Sequence, residues 1–280
     1  MDLARTYRST FARLHADGCF VIPNPWDIGS AKYLRGLGFK ALATTSAGFA
    51  FSRGLPDGVD GVGRDQMLAH IADIVQSAEL PVNADFQSGY ADGPERLGEN
   101  VKLCVDTGVA GLSIEDATGK VGMPLYDLRV AADRIRAGRR ALDETGSGVL
   151  LTARAECYLV NHPDAFNESL RRLTAYAEAG ADVLYAPGVT NPNEIQQIVA
   201  AVAPTPVNVL VSSNTGLRVA DLANMGVRRV SVGSSLARSA WTGFIRAAKE
   251  IAGQGTFGGF DGSVPFDELN SFFRNGKRTA

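Results

Sequence analysis

Short apolar runs bounded by turn residues recur along the whole chain: CFVIP from 19, ALATTS from 41, PVNAD from 81, GLSIED from 111, VLLTARAE from 149, DVLYAP from 182, VNVLV from 207 and RRVSVG from 228. Their length and β-branched content predict eight strands. Between them, apolar residues fall three or four apart, as at Ala31, Leu34 and Leu37, at Met67, Ile71 and Ile74, and at Leu170, Leu173 and Ala177. That is the period of a helix with one buried face. A helix is expected after every strand. The strands read as continuous Val/Ile/Leu runs rather than alternating ones, which predicts a parallel sheet covered on both faces.

Many of the helical segments close on a glycine just before the next strand, as in GLGFKALATTS, DTGVAGLSIED, EAGADVLYAP and NMGVRRVSVG. Glycine takes the left-handed position after a helix at low cost, so these mark helix-to-strand turns. Eight β/α units without a break in composition predict an α/β fold, a (β/α)₈ TIM-type barrel forming one domain over 1–280. The competing arrangement, an open doubly wound sheet, wants a Gly-rich phosphate turn after its first strand. IPNPWDIGS is not one. Residues 253–280 break the pattern with a Gly-rich linker and an amphipathic segment carrying Phe266, Leu269, Phe272 and Phe273. This tail is expected to cap its own barrel or to pack on a second copy, making the protein a homodimer or homotetramer.

Composition narrows the partners. The 28 Lys and Arg stand against 30 Asp and Glu, a balance that offers no basic surplus for nucleic acid or an anionic membrane and favours a small-molecule ligand. The first residues, MDLARTYRSTFARLHADG, carry charge throughout and lack the apolar stretch of a signal peptide, and no later stretch is long and apolar enough to span a bilayer. A soluble, cytoplasmic protein is expected. Cys19, Cys104 and Cys157 are widely spaced and form no CxxC, so they predict reduced thiols rather than disulfides or a zinc site.

Barrel chemistry sits at the carboxyl ends of the strands. Here those ends carry Thr45-Ser46-Ala47-Gly48, then Asp85, then Glu115-Asp116, then Arg154-Ala155-Glu156. Acidic groups converging on one mouth repel one another unless a cation sits among them, and oxygen ligands suit Mg²⁺, with Mn²⁺ as a substitute. Arg154 adds a planar cation able to hold a carboxylate or stabilise an oxyanion. The competing reading is that Glu and Arg here only balance each other. Glu115 and Asp116 are adjacent on a strand and cannot both face the lumen. Trp26 is expected as a pocket wall, and His162 in YLVNHPDAF as a substrate contact, whereas His15 and His70 fall in helical patterns and read as surface or packing residues.

The stretch NPWDIGSAKYLRGLGFKALATTSAGFAFSRGLPDG, followed in order by ADFQSGYADG, GLSIEDATG, LTARAECY and YAEAGADVLYAPG, resembles the isocitrate lyase and phosphoenolpyruvate mutase superfamily over about residues 18 to 240. The resemblance implies a (β/α)₈ barrel, Mg²⁺ and a C-terminal helix exchanged between subunits. It implies Asp85 as the direct metal ligand, and Asp57 and Glu115 as carboxylates holding metal-bound water. Ser46 with the N–H groups of Ala47 and Gly48 would receive the substrate carboxylate, and Arg154 would stand beside a developing enolate. Two departures matter. Gln87 occupies the place of the family's second acid, so it would hold a metal-bound water as an amide. After Glu115 the chain reads EDATGKVGMPLYDL, without the lyases' Cys-Gly-His acid loop or the asparagine loop of the phosphonopyruvate enzymes, and offers Lys120, Tyr126 and Asp127 in its place. Cys157 is not a positional substitute.

These readings predict a Mg²⁺-dependent carbon–carbon lyase or decarboxylase that works on a small 2-oxo or 2-hydroxy carboxylic acid through an enolate, with an oxaloacetate-like substrate favoured. Arg154, Ser46 and Glu115 are its expected catalytic residues. The alternatives are a C–P bond enzyme, of the phosphonopyruvate hydrolase or phosphoenolpyruvate mutase type, and a barrel that binds a metabolite without turnover.

Overall fold

The computed structural model describes residues 3–58 and 61–275. Its centre is a parallel sheet of β1 (Phe20–Ile22), β2 (Leu42–Ala43), β3 (Val82–Asp85), β4 (Gly111–Glu115), β7 (Leu150–Arg154), β8 (Val183–Tyr185), β9 (Val207–Leu210) and β10 (Arg229–Ser231). Neighbours run β1-β10-β9-β8-β7-β4-β3-β2, all in parallel register. The remaining seam is bridged by the Ala43 N–H donating to the Pro23 carbonyl at 3.1 Å and by Asn24 Nδ2 donating to the Thr44 carbonyl at 2.9 Å. The ring is the expected TIM-type barrel.

Outside it lie α2 (Ile28–Gly36), α3 (Ser46–Ser52), α4 (Arg64–Ala78), α5 (Pro94–Asp106), α6 (Leu128–Thr145), α7 (Ala165–Glu178), α8 (Pro192–Val202), α9 (Val219–Asn224) and α10 (Ser235–Gln254). The glycine turns behave as the sequence predicts: Gly180 and Gly226 have φ of 93° and 85°, a region that side chains rarely adopt. No described helix is long and apolar enough to cross a membrane.

The strands alternate more than the sequence suggests. Leu112, Ile114, Leu151 and Val230 turn outward into the helix layer and are fully buried there, whereas Asn83, Ser113, Thr152, Asn208 and Ser231 turn inward. The reading of two continuous apolar faces is corrected: the inward set mixes these polar residues with a small apolar cluster around Ile22 and Ala43, so the larger hydrophobic core lies on the outer face. Barrel interiors are usually filled by layers of Val, Ile and Leu.

A helix absent from the β/α count closes the bottom of the barrel. This is α1 (Leu3–Ala16), whose Phe11 packs with Ile22, Ala41, Ala43 and Ala110. Arg8 donates to the carbonyls of Val109 at 3.1 Å and Val105 at 3.3 Å, tying α1 to the end of α5. A second departure follows β4, where the chain forms an antiparallel hairpin of β5 (Ala117–Lys120) and β6 (Met123–Leu125) before α6 begins. At the far end, α11 (Phe266–Asn275) lies on its own barrel, burying Phe272 against Tyr33 of α2 with ring centroids 4.8 Å apart. Phe266, Leu269 and Phe273 of this tail stay exposed, as do Leu236, Trp241, Phe244 and Ile245 of α10.

Candidate active site

A cleft of about 160 Å³ opens at the carboxyl ends of the strands. Arg154 stands in its wall with all three nitrogens committed: Nη1 to Asp85 Oδ1 at 2.7 Å, Nη2 to Glu115 Oε2 at 3.1 Å and Nε to Glu156 Oε1 at 2.8 Å. The alternation of β4 and β7 brings this about, because Glu115 and Arg154 are register partners. The guanidinium also lies 5.3 Å from the centre of the Tyr185 ring. It is held well above its usual range by Glu156, Glu115 and Asp85, which together outweigh its burial.

Asp85 closes the cluster from the other side. Its Oδ2 accepts from the Ser46 N–H at 2.8 Å, and its own N–H donates to Thr44 Oγ1 at 2.8 Å. Thr45 caps α3 by accepting the Gly48 N–H at 3.2 Å. Of the first-turn donors of α3, the Ala47 N–H is therefore the one left facing the cleft, which Ser46 and Ala47 both line. Gly48 lies behind them, where a Cβ would come within 2.6 Å of Thr45 and 3.0 Å of Trp26.

The remaining predicted residues divide. Asp57 lies on the rim, 3.4 Å from Gln87 Nε2, and both flank Asp85. Asp116 turns away from the lumen, accepting from Arg172 Nη1 at 2.9 Å, from the Glu156 N–H at 2.9 Å and from the Tyr176 hydroxyl at 2.5 Å. Trp26 is not a wall of the cleft. It lines a separate apolar groove with Ser52, Ala237 and Trp241, because the turn into α2 carries its ring toward α10. His162 does not reach the cleft either: its Nδ1 accepts the Asp164 N–H at 3.1 Å, stabilising the turn into α7. Leu159 of the same segment lines the cleft instead. Cys157 is buried outside the cleft, and burial pushes its thiol up to about 11.

The cluster holds more acid than base. Burial raises Glu115 to about 8 despite Arg154, and the neighbouring Glu156, Asp85 and Asp57 add to the effect. Burial raises Glu156 as well, and raises Asp57 with help from the charge of Asp85. Among the described residues no three acid, His or Cys side chains converge as a ready-made cage. The donor set still fits a hard divalent cation of the kind that takes one or two carboxylates and keeps several waters. Asp85 would hold it, with Asp57, Glu115 and the Gln87 amide around it, and its charge would relieve the crowding of the carboxylates.

Residues that the sequence did not single out complete the cleft: Asn24, Leu159, Pro187, Asn208, Leu210 and Arg229. The one available signal was Arg229 itself, a charge placed inside an otherwise apolar strand run.

The model of the family described as phosphoenolpyruvate phosphomutase matches residues 11–252. A solved Burkholderia cenocepacia chain, described as a candidate lyase/mutase, is 44% identical over 100% of both chains with a TM-score of 0.94. The 2-methylisocitrate lyase of Escherichia coli is 30% identical over 173 residues, 59% of this chain and 56% of that protein. The structure of oxaloacetate acetylhydrolase with the product oxalate is 26% identical, covers 95% of this chain and 93% of its own, and has a TM-score of 0.83.

Proposed function

The chain belongs to the phosphoenolpyruvate phosphomutase family, in the superfamily of isocitrate lyase and PEP mutase, and from that premise we propose that it is a carbon–carbon lyase acting on an oxaloacetate-like 2-oxo acid through an enolate. The observation that carries the reading is one-sided: Arg154, Asp85 and Ser46 equip the cleft to stabilise an enolate, and the hairpin after Glu115 brings none of its described residues into the cleft to protonate a leaving carbanion.

Ser46 Oγ and the Ala47 N–H receive the substrate carboxylate at the start of α3. Arg154 faces the oxygen on which charge develops, and its three carboxylate contacts fix the guanidinium plane before the substrate arrives, so little reorganisation is needed. Mg²⁺, or Mn²⁺ in its place, supplies Lewis-acid stabilisation of that oxygen when bound, with Asp85, Asp57, Glu115 and Gln87 as the residues to hold it. Glu115 keeps Arg154 in place through their 3.1 Å ion pair.

The other half of a lyase reaction is where the hairpin matters. Lys120 pairs with Asp92 at 3.3 Å, and the Tyr126 hydroxyl donates to the same carboxylate at 2.8 Å, so both are engaged away from the cleft. Asp127 caps α6. Leu159, Pro187 and Leu210, at the ends of β7, β8 and β9, give the cleft an apolar wall beside Arg154. An apolar wall favours a carboxylate that leaves as neutral CO₂, a step needing no proton at the departing group. A positioned acid is worth roughly 10²–10⁴ in rate, so loss of CO₂ from oxaloacetate should exceed succinate release from isocitrate or 2-methylisocitrate by at least that factor.

The test compares these substrates and phosphonopyruvate under identical Mg²⁺ and pH, with an Arg154→Met variant as the background for metal-promoted decarboxylation in solution. Efficient succinate release would overturn the reading of the loop. Turnover of phosphonopyruvate alone would move the protein to the C–P enzymes. Binding without any product would favour a metabolite-binding barrel.

A further inference from the structure

Below Arg154 the lumen holds a second guanidinium with none of the first one's partners. Arg229 is 3% exposed, yet its contacts are all neutral. Nε donates to Asn208 Oδ1 at 2.9 Å, Nη2 to Thr152 Oγ1 at 3.1 Å, and Nη1 faces His15 Nε2 at 3.4 Å. The Nδ1 of His15 lies 2.8 Å from the Phe11 carbonyl, which can only accept, so the ring proton is on Nδ1 and Nε2 is an acceptor. That histidine is neutral, burial holding it down to about 3. Tyr185, the other titratable group near Arg229, is pushed up to about 12 by burial and is neutral too.

A guanidinium has five N–H groups, and these contacts use three. Buried charges are found paired, because an unpaired one costs several kcal/mol. Burial accordingly pulls Arg229 down to about 10, still charged at neutral pH. The surroundings are not packed shut against it. Arg229 borders the same cleft as Asp85 and Arg154, and the polar side chains of Asn208 and Ser231 line it alongside. Thr152, which Arg229 contacts, lies two residues below Arg154 on β7, about 6.6 Å along a strand. The floor is thus a layer deeper than the carboxylate cluster and is opposite to it in sign.

We infer that the floor of the barrel is a binding site for one small anion, of halide or single-carboxylate size, held by Arg229 with Asn208 and Thr152 beside it. The occupant is either a free anion that enters through the cleft or the remote carboxylate of a bound dicarboxylate; both satisfy the same guanidinium.

The experiment follows the melting midpoint at fixed ionic strength while gluconate, too bulky for the floor, is replaced by formate or chloride. A ligand at a hundredfold excess over its Kd should raise the midpoint by roughly 4 °C for a chain of this length. Arg229→Gln should lose the response and, in gluconate alone, melt no lower than the wild type, since it removes an uncompensated charge. Arg229→Lys should keep part of the response and serves where the glutamine variant fails to fold. Repeating the formate series with saturating malate separates the sources: loss of the increment places a dicarboxylate's far end at Arg229, and persistence places a free anion there. A wild type that does not distinguish formate from gluconate, or an Arg229→Gln variant that responds as the wild type does, overturns the site.

Discussion

The neutral His15 under the barrel makes a quantitative claim about acid stability. The ring is 6% exposed, is packed edge-on to Phe11 and Phe20, and faces Arg229. Burial first, then Arg229, lowers it from 6.5 to about 3 in the folded chain. A group whose folded value is depressed gives stability that is complete above the unfolded value and is lost as pH falls below it. Between pH 7.5 and pH 5 the unfolded chain takes up the proton and the folded chain does not. The span of about 1.5 pH units below 6.5 corresponds to roughly 2 kcal/mol at 1.36 kcal/mol per unit. The raised carboxylates of the cleft respond in the opposite sense, so total stability does not isolate the effect. A His15→Gln variant does, because an amide keeps a donor and an acceptor without titrating. The wild type should lose about 2 kcal/mol more than the variant over this interval, or about 3 °C in melting midpoint at roughly 0.6 kcal/mol per degree for a chain of this size. Parallel losses in denaturant titrations at the two pH values would show that His15 is protonated in the fold, and the account of Arg229 as surrounded by neutral groups would fall with it.

Other expectations are simpler to check. Asp85→Ala should abolish metal-dependent turnover by at least roughly 10² while leaving the far-UV spectrum and melting midpoint near the wild type; retained activity or an unfolded variant would make Asp85 structural. Gly111→Ala should destabilise the chain by about 1–3 kcal/mol, measured by denaturant midpoint, because a Cβ there would stand 2.7 Å from both Asn83 Oδ1 and Phe11. Light scattering at micromolar concentration should find a dimer or tetramer, since the apolar side chains of α10 and α11 otherwise face water; a monomer would contradict this.

The barrel was legible because its signals are local. Apolar runs of strand length, helical spacing and glycines at the turns each constrain a few consecutive residues, and all agree. Glu115 and Asp116 were separable for the same reason, since strand alternation sends one inward to Arg154 and the other outward to Arg172. What failed to show depends on direction rather than on residue type. Trp26 and His162 sit in loops whose backbone path decides where a ring points, and both point away from the cleft. The hairpin in ATGKVGMPL has too few β-branched residues and too many glycines to read as strand; it is tied at its base by the Tyr126 N–H donating to the Asp116 carbonyl at 3.0 Å. Continuous apolar runs concealed the polar lumen because Asn83, Ser113 and Thr152 are small enough to pass as strand residues between larger neighbours.

The closure of the ring at β1 and β10 has a consequence for how the chain is made. Phe20 pairs with Arg229, the Phe20 N–H donates to the Arg228 carbonyl at 3.1 Å, and His15 meets Arg229. The first strand therefore emerges from the ribosome and waits for a partner about 200 residues later. At about 5–20 residues per second that interval is on the order of 10 to 40 s. Through it α1 and β1 have no complete surface to bury Phe11, Phe20 and Ile22, and the growing intermediate is an open, curling sheet with two unsatisfied edges. Chaperone capture during synthesis should concentrate on this leading segment and cease once residue 231 has cleared the exit tunnel.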